Sequence, residues 1–440
     1  MEEDLRRLSP SLELRTVAEM GRGVFTKVPI SAGDTIFSAL PIAHCSLEET
    51  RGSVCEHCFN RSESLKKCTE CESVQYCNSD CQKLDLPLHE AECDSVKGVE
   101  ATSLVRLALR ALTRNTKHLY SLPDGWFTIK EANKDQEASK DHEAIRESIA
   151  DTAQLCDYPK DLIRKLFLKL ICNEFSIKMV ADNISPVGRA LYSAPSLLNH
   201  SCRPNTVQLF NGRYLILKAK RDIGPDEQLF ITYTDTLQLL SERQHYLQSR
   251  YNFTCACERC LEDISKSPGC SEQLLLMAAN GEEVSSSLRQ KMEKELTELK
   301  ELTKLEEWQE MYDKGRALYT SHLTQLSPDN IFSQRLMEHL FIASDELSLW
   351  EEAIKYITQL LGPSLRHYGL LDPGSVYWLM LTGKFRHNVK TTEQLTLSLD
   401  DLTKAKTAAE RLYGADHPIT REAAMMLFYT RRELARRLHV

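Results

Sequence analysis

The sequence predicts an α+β protein: a β-rich body interrupted by a zinc-binding insertion and followed by an all-helical C-terminal region. Three observations carry this. Eight potential metal ligands crowd between Cys55 and Cys93, strand and turn signals recur on both sides of them, and a helical pattern repeats every 45 residues near the C-terminus. At 440 residues the chain exceeds the size of one hydrophobic core and should form two to four modules.

The first 54 residues read as short strands and turns. Gly21-Arg22-Gly23 precedes Val24-Phe25, and Ile30-Ser31-Ala32-Gly33-Asp34 reads as a turn before Thr35-Ile36-Phe37. Residues 55–93 then carry Cys55, Cys58, Cys68, Cys71, Cys77, Cys81, His89 and Cys93. Zinc needs four soft or borderline ligands in a tetrahedron, and close Cys pairs on knuckle turns supply them, so eight ligands hold two ions. A disulfide framework is the competing reading. The N-terminus, Met1-Glu2-Glu3-Asp4, has neither the basic nor the apolar segment of a secretory signal, and no apolar run reaches membrane-spanning length. In a reducing compartment such dense paired thiols bind metal rather than one another.

Residues 94–189 are expected to form a helical linker and insertion, with Leu104, Leu107, Ala108, Ala111 and Leu112 on one face and a polar stretch at 130–148. Strand signals return over 190–240. Thr206 to Phe210 and Tyr214 to Leu217 flank Asn211-Gly212, a strong hairpin signal, and Leu229 to Tyr233 follows. Residues 241–270 carry Cys255, Cys257 and Cys260. Residues 271–440 are helical to the end: Pro328, Pro373 and Pro418 lie 45 residues apart, and Tyr368-Gly369 recurs as Tyr413-Gly414. Glycine ends one helix and proline starts the next, as in stacked helix pairs similar to tetratricopeptide arrays.

Charge bears on partners. The net charge is −8, and the knuckle segment sets Arg61, Lys66, Lys67 and Lys83 against Glu56, Glu63, Glu70, Glu72, Asp80, Asp85, Glu90 and Glu92. A DNA reader would be basic, so direct DNA binding is disfavoured; on charge alone the acidic surface is equally consistent with attracting Lys- and Arg-rich protein segments and with merely keeping the chain in solution. Arg431, Arg432, Arg436 and Arg437 read as a solvated helix face rather than a targeting signal.

Asn199-His200-Ser201-Cys202-Arg203-Pro204-Asn205, the downstream Tyr233, and Tyr251-Asn252-Phe253-Thr254-Cys255-Ala256-Cys257-Glu258-Arg259-Cys260 are not explained by periodicity. Together they resemble the core and post-SET parts of SET-domain protein-lysine methyltransferases. With a MYND-type knuckle splitting the SET domain and TPR-like helices after it, the chain resembles the SET and MYND family over essentially its whole length.

That resemblance implies an S-adenosylmethionine-dependent protein-lysine N-methyltransferase acting on histones or other proteins, working as a monomer in cytoplasm and nucleus, with partner binding through the knuckles and helical repeats. It implies that Gly21, Arg22, Gly23, Asn173, Ser196, Leu197, Leu198, Asn199, His200, Tyr233, Tyr251 and Phe253 hold the cofactor. Phe175, Ile231, Tyr233 and Tyr251 then line a lysine channel, and the Tyr233 hydroxyl is catalytic. Three structural zinc ions are implied: Cys55, Cys58, Cys77 and Cys81 for one, Cys68, Cys71, His89 and Cys93 for another, and Cys202, Cys255, Cys257 and Cys260 for the third. Asn199-His200 would thread under a loop as a pseudoknot. Cys45, Cys156, Cys172 and Cys270 remain outside these sites, and Cys172 reads as a pocket-lining thiol.

Three departures stand out. Met20 takes the place of a usual Lys or Arg, Asp226 that of a usual Gly before Glu227, and Leu86-Pro87 that of Trp-Pro, which weakens the case for proline-rich partners at the knuckle. Asp tolerates unusual backbone angles, so its turn is expected to survive. A catalytically weak scaffold that binds partners is the alternative that Met20 and Asp226 support.

Overall fold

A computed structural model describes residues 2–18, 20–113, 140–179, 185–322 and 325–438 of the chain. Much of the polar stretch at 130–148 lies outside the described residues. Two compact units result: Met1–Tyr233 with Tyr246–Thr254, and Thr234–His245 with Cys255–Val440. These limits do not follow the sequence boundaries, since the second unit already begins at residue 234 rather than 271.

The first unit is assembled from small sheets. Strands β1 (Leu12–Val17) and β2 (Gly21–Thr26) form an antiparallel pair, with Val17 opposite Gly21. β3 (Thr35–Ala39) borders the hairpin of β10 (Thr206–Asn211) and β11 (Tyr214–Ala219). The Asn-Gly signal is correct in kind, but Asn211 pairs with Tyr214, so the two-residue loop is Gly212-Arg213. Gly212 sits at φ +55°, and a Cβ there would meet the Cys58 carbonyl oxygen at 2.8 Å. β4 (Ala43–Ser46), β8 (Pro186–Leu191) and β7 (Glu174–Lys178) make a third sheet, in the order β4-β8-β7. The segment 94–189 therefore ends in strand, which the helical reading missed: Glu174-Phe175-Ser176-Ile177-Lys178 is too short and mixed in polarity to declare itself without its partner. β5 (Lys66–Lys67) and β6 (Gln75–Tyr76) form the knuckle's ribbon, and β9 (Asn199–His200) pairs in parallel with β12 (Phe230–Ile231). Leu12, Val24, Phe37, Leu215, Leu217, Leu229 and Ile231 bury the strands in one apolar core.

The unit's helices are α1 (Glu2–Leu8), which packs on this core, and α2 (Ser79–Cys93), α3 (Ser103–Thr113), α4 (Lys140–Leu155) and α5 (Lys160–Asn173), whose apolar faces form separate clusters. Asn78 caps α2 by accepting the Cys81 amide at 2.8 Å. In α3 the predicted stripe is present, with Leu107, Ala108, Ala111 and Leu112 all buried. Arg106 and Arg110 are buried beside it, at 1% and 0% exposure. α6 (Leu240–Tyr251) gives its first half to the second unit and its second half to the first.

The second unit is helical, as the 45-residue period predicts. Among the described residues its repeats run as Ser286–Lys304, Trp308–His322, Ile331–Glu346, Trp350–Tyr368, Pro373–Val389, Thr392–Tyr413 and Pro418–Leu438. Gly369 and Gly414 end their helices at φ +76° and +92°, and Pro373 and Pro418 open the next ones. Pro328 does not, because Asn330 caps that helix by accepting the Phe332 amide. Met292, Leu296, Leu299, Leu336 and Leu340 fill the interior.

Candidate active site and metal centres

The knuckle brings its eight ligands together as two interleaved sets. Cys55, Cys58, Cys77 and Cys81 cluster, as do Cys68, Cys71, His89 and Cys93, with the ligand atoms of each set within 4.8 Å of one another. Several spacings match zinc itself. Tetrahedral thiolates at ~2.3 Å from zinc lie about 3.8 Å apart, and Cys58 to Cys77 and Cys68 to Cys93 measure 3.8 and 3.9 Å. His89 faces this set with Nε2, which is 3.3 Å from Cys68 Sγ and 3.5 Å from Cys71 Sγ. Its Nδ1 lies 3.3 Å from Glu92, the carboxylate that fixes the orientation of a zinc-binding imidazole. In the second unit Cys255, Cys257 and Cys260 are likewise buried and clustered.

Glu92 is also the hub of a buried ion network that the sequence did not disclose. Arg106 Nη2 donates to Glu92 at 2.6 Å and to Glu56 at 2.9 Å. Arg110 donates to Glu92 at 2.8 Å, to Asp85 at 3.2 Å and to the His44 carbonyl at 2.8 Å. Burial pushes the Glu56, Asp85 and Glu92 carboxyls up, yet all three are held below the usual carboxylate range, Glu56 and Glu92 by both guanidiniums and Asp85 by Arg110 and His44. An i, i+4 arginine pair on a helix looks like a solvated face until its partners are known.

The candidate active site forms where β2, β9 and β12 meet. Asn199 Nδ2 donates to the Arg22 carbonyl at 2.8 Å. A Cβ on Gly23 would lie 2.4 Å from Gln228 Nε2 and 3.3 Å from Asn199 Nδ2, so a larger residue would force the Gln228 side chain to move. Gly21, at φ +74°, is exposed and has nothing near its missing Cβ. Gly21 and Arg22 form an exposed strand edge beside Asn199, with Gly23 buried next to them, and this edge offers backbone groups to a cofactor. Leu197 and Leu198 are buried behind it, and Ser196 Oγ donates to the Tyr192 carbonyl at 2.6 Å. Asn173 donates back to the Lys169 carbonyl of its own helix at 2.8 Å.

His200 is fixed from two sides. Its Nδ1 accepts the Tyr233 backbone amide at 2.9 Å, which leaves the ring proton on Nε2, 3.2 Å from Cys202 Sγ. An imidazole so engaged is a positioning group rather than a base. Asn205 reinforces the crossing: it donates to the Gln228 carbonyl and accepts the Phe230 amide, each at 2.8 Å.

Tyr233 stands at the centre of an aromatic cage. Ring centroids of Tyr251, His200 and Phe253 lie 4.8, 5.3 and 6.4 Å from it. Its hydroxyl donates to the Leu198 carbonyl at 2.6 Å. Burial, then the neighbouring Tyr251, pushes its phenol well above the ordinary value, so it stays protonated at neutral pH. Ile231 is buried in the strand core, while Phe175 on β7 sets its ring edge-on to Tyr192 at 5.4 Å. Burial pushes the Cys172 thiol up to about 11, so it stays protonated.

Sequence reasoning missed Glu174, Arg189 and Arg250. Glu174 accepts from Arg189 at 2.8 Å and from Arg250 at 2.5 Å, which ties the end of α6, and hence Tyr251, to β7 and β8. Residues so far apart in sequence give no local signal. Of the three departures, Met20 and Leu86 are exposed, and Asp226 takes φ +63° with its carboxylate on Arg15, so the turn is kept.

An aromatic cage thus stands beside a glycine-edged strand and a short parallel crossing. A family model described as "SET domain" matches residues 21–234. The chain is 30% identical to the histone-lysine N-methyltransferase SMYD3 of Mus musculus, over 83% of this chain and 84% of that protein. It is 27% identical to the N-lysine methyltransferase SMYD2 of Homo sapiens, over 91% and 94% respectively. A solved SET domain of LSMT, bound to lysine and AdoHcy, aligns at TM-score 0.29 and 12% identity over 98% of this chain and 89% of that one, too distant to bear on the assignment. The chain belongs to the SET and MYND family of protein-lysine N-methyltransferases.

Proposed function

We propose that this enzyme methylates lysine side chains of proteins, histones or others, and that Tyr233 is its catalytic residue. The observation that carries the reading is the cage of Tyr233, Tyr251 and Phe253 built against Asn199-His200, next to the Gly21-Arg22-Gly23 edge. When bound, S-adenosylmethionine supplies an electrophilic methyl group. Gly21, Arg22, Gly23, Asn173, Ser196, Leu197, Leu198, Asn199, His200, Tyr251 and Phe253 would hold it.

The protein's own residues must present a neutral amine. A lysine ammonium with pKa ~10.4 costs about 4 to 5 kcal/mol to deprotonate at pH 7. Burying it among Ile231, Tyr233, Tyr251 and Phe175 penalises the charged form and lowers that cost. Tyr233 cannot take the proton, because its phenol is already protonated and held so by burial. Its hydroxyl instead orients the amine, while the proton leaves to solvent. Positioning rather than acid-base catalysis is thus the contribution of the site.

Cys202 is proposed to complete a third zinc site with Cys255, Cys257 and Cys260, in a structural role. The Nε2 proton of His200 beside Cys202 supports this, since a thiolate ligand is stabilised by such a donor. The clustered reduced thiols suit cytoplasm and nucleus. Partner binding by the helical repeats follows from the surface such arrays present. The scaffold alternative loses support, because the Asp226 turn is intact. Incubating the protein with radiolabelled S-adenosylmethionine and a panel of histones and cytosolic proteins tests the function; absence of label on any lysine, with cofactor binding shown, refutes it.

A further inference from the structure

One cluster in the first unit belongs to neither the knuckle's thiolate sets nor the cage. His44 on β4, His57 between Cys55 and Cys58, and Asp85 on α2 bring their ligand atoms within 4.8 Å of one another. They are 0%, 7% and 0% exposed. His44 Nδ1 and His57 Nδ1 are buried without a hydrogen-bond partner among the described residues, and His44 Nε2 faces Asp85 Oδ1 without a well-aligned hydrogen bond. Two imidazoles left so, side by side in the interior, are costly unless something binds them.

Charge points the same way. Around these histidines the buried carboxylates are Glu56, Asp85 and Glu92, and the buried cations are Arg106 and Arg110. Three against two leaves one negative charge in excess, and buried charge of one sign is expensive unless paired. His89 does not supply the balance, since it sits among three cysteines of its own set. Two cations oppose an extra charge: Arg110, 3.2 Å from Asp85 Oδ2 and 3.4 Å from Oδ1, and the half-buried Arg213, which faces His57. The distance between His44 Nε2 and Asp85 Oδ1 is 3.3 Å. That is the edge of a tetrahedron whose ligands stand ~2.0 to 2.1 Å from zinc.

We propose that His44, His57 and Asp85 bind a further divalent transition-metal ion, with zinc the best match to two imidazoles and a carboxylate. Water completes its coordination. The ion joins β4 of the SET sheet to the first knuckle turn and to α2, and its two positive charges more than offset the one negative charge in excess. A protonated His44 paired to Asp85 is the metal-free competitor.

The test is metal content by mass spectrometry of the full chain purified without chelators, beside His44→Gln and His57→Gln. Each variant is expected to hold one equivalent less than wild type. In cobalt-substituted protein the thiolate-to-cobalt absorption should be undiminished in both, because no cysteine is touched. Equal metal content in wild type and both variants overturns the proposal in favour of the imidazolium. Loss of thiolate-to-cobalt absorption in both variants also overturns it, since the histidines would then serve only the knuckle's fold.

Discussion

Replacing Tyr233 by Phe removes one oxygen and keeps the ring. The packing against Tyr251, His200 and Phe253 survives, so the cage retains its shape. What is lost is the hydroxyl's donation to the Leu198 carbonyl at 2.6 Å, on a residue only 1% exposed. Leaving that carbonyl short of a partner costs about 1 to 3 kcal/mol of stability. This is a fraction of the roughly 5 to 15 kcal/mol of a typical domain, so the variant should fold. If the hydroxyl orients the amine in the transition state, its loss should lower methyl transfer by about 10²- to 10³-fold, the range seen when one preorganised donor is removed. Cofactor affinity should stay within a few fold, because the Asn199 and Gly23 contacts are untouched. The assay is single-turnover transfer of labelled methyl to a substrate protein, with binding of S-adenosylhomocysteine by calorimetry and circular dichroism on the same samples. Wild-type transfer by a folded Tyr233→Phe protein would refute the catalytic assignment. A rate loss that merely tracks loss of folded signal would do so as well.

Asn199→Ala should act on binding instead: it removes the bond to the Arg22 carbonyl, about 1 kcal/mol, and S-adenosylhomocysteine affinity should fall several-fold by calorimetry. Arg110→Met strands Asp85 and Glu92 in the interior and should cost about 3 to 5 kcal/mol in urea denaturation; adding Asp85→Leu should return part of it. The pH dependence follows from the same carboxylates. Burial raises Glu56, Asp85 and Glu92, but Arg106 and Arg110 outweigh it at Glu56 and Glu92, and Arg110 with His44 at Asp85, so their folded pKa values lie below the unfolded ones. Their stability is therefore fully present above about pH 4.5, the unfolded range, and drains away as pH falls through the folded values. Urea midpoints measured from pH 7 to pH 3 should fall steeply below pH 4.5; a midpoint that rises there would contradict the network.

Legibility in the sequence followed the chemistry. Zinc imposes short, fixed spacings on its ligands, so the knuckle's eight residues could be read directly, and the interleaved sets agree with them. The cage was legible only through resemblance, because Tyr233 and Tyr251 taken singly look like ordinary core aromatics. Glu174, Arg250 and Gln228 left no trace, since each works through a partner 23 or more residues away in the chain: Arg250 for Glu174, and Asn205 for the Gln228 carbonyl. β7 was missed because strand identity there comes from pairing with β8 rather than from its own five residues. The proline period succeeded at Pro373 and Pro418 and slipped at Pro328, where Asn330 does the capping.

Glu92 touches a zinc-binding histidine on one side and two arginines of α3 on the other. An inserted finger is commonly pictured as a bead that a gene can gain or shed without disturbing its host. Here excision would delete Glu56, Asp85 and Glu92 together and leave Arg106 and Arg110 facing a hole in the interior. No single mutational step restores what is lost, so the knuckle, once wired in, became hard for evolution to remove. In hydrogen exchange its slowest amides should open together with those of β4 and α3, as one cooperative body.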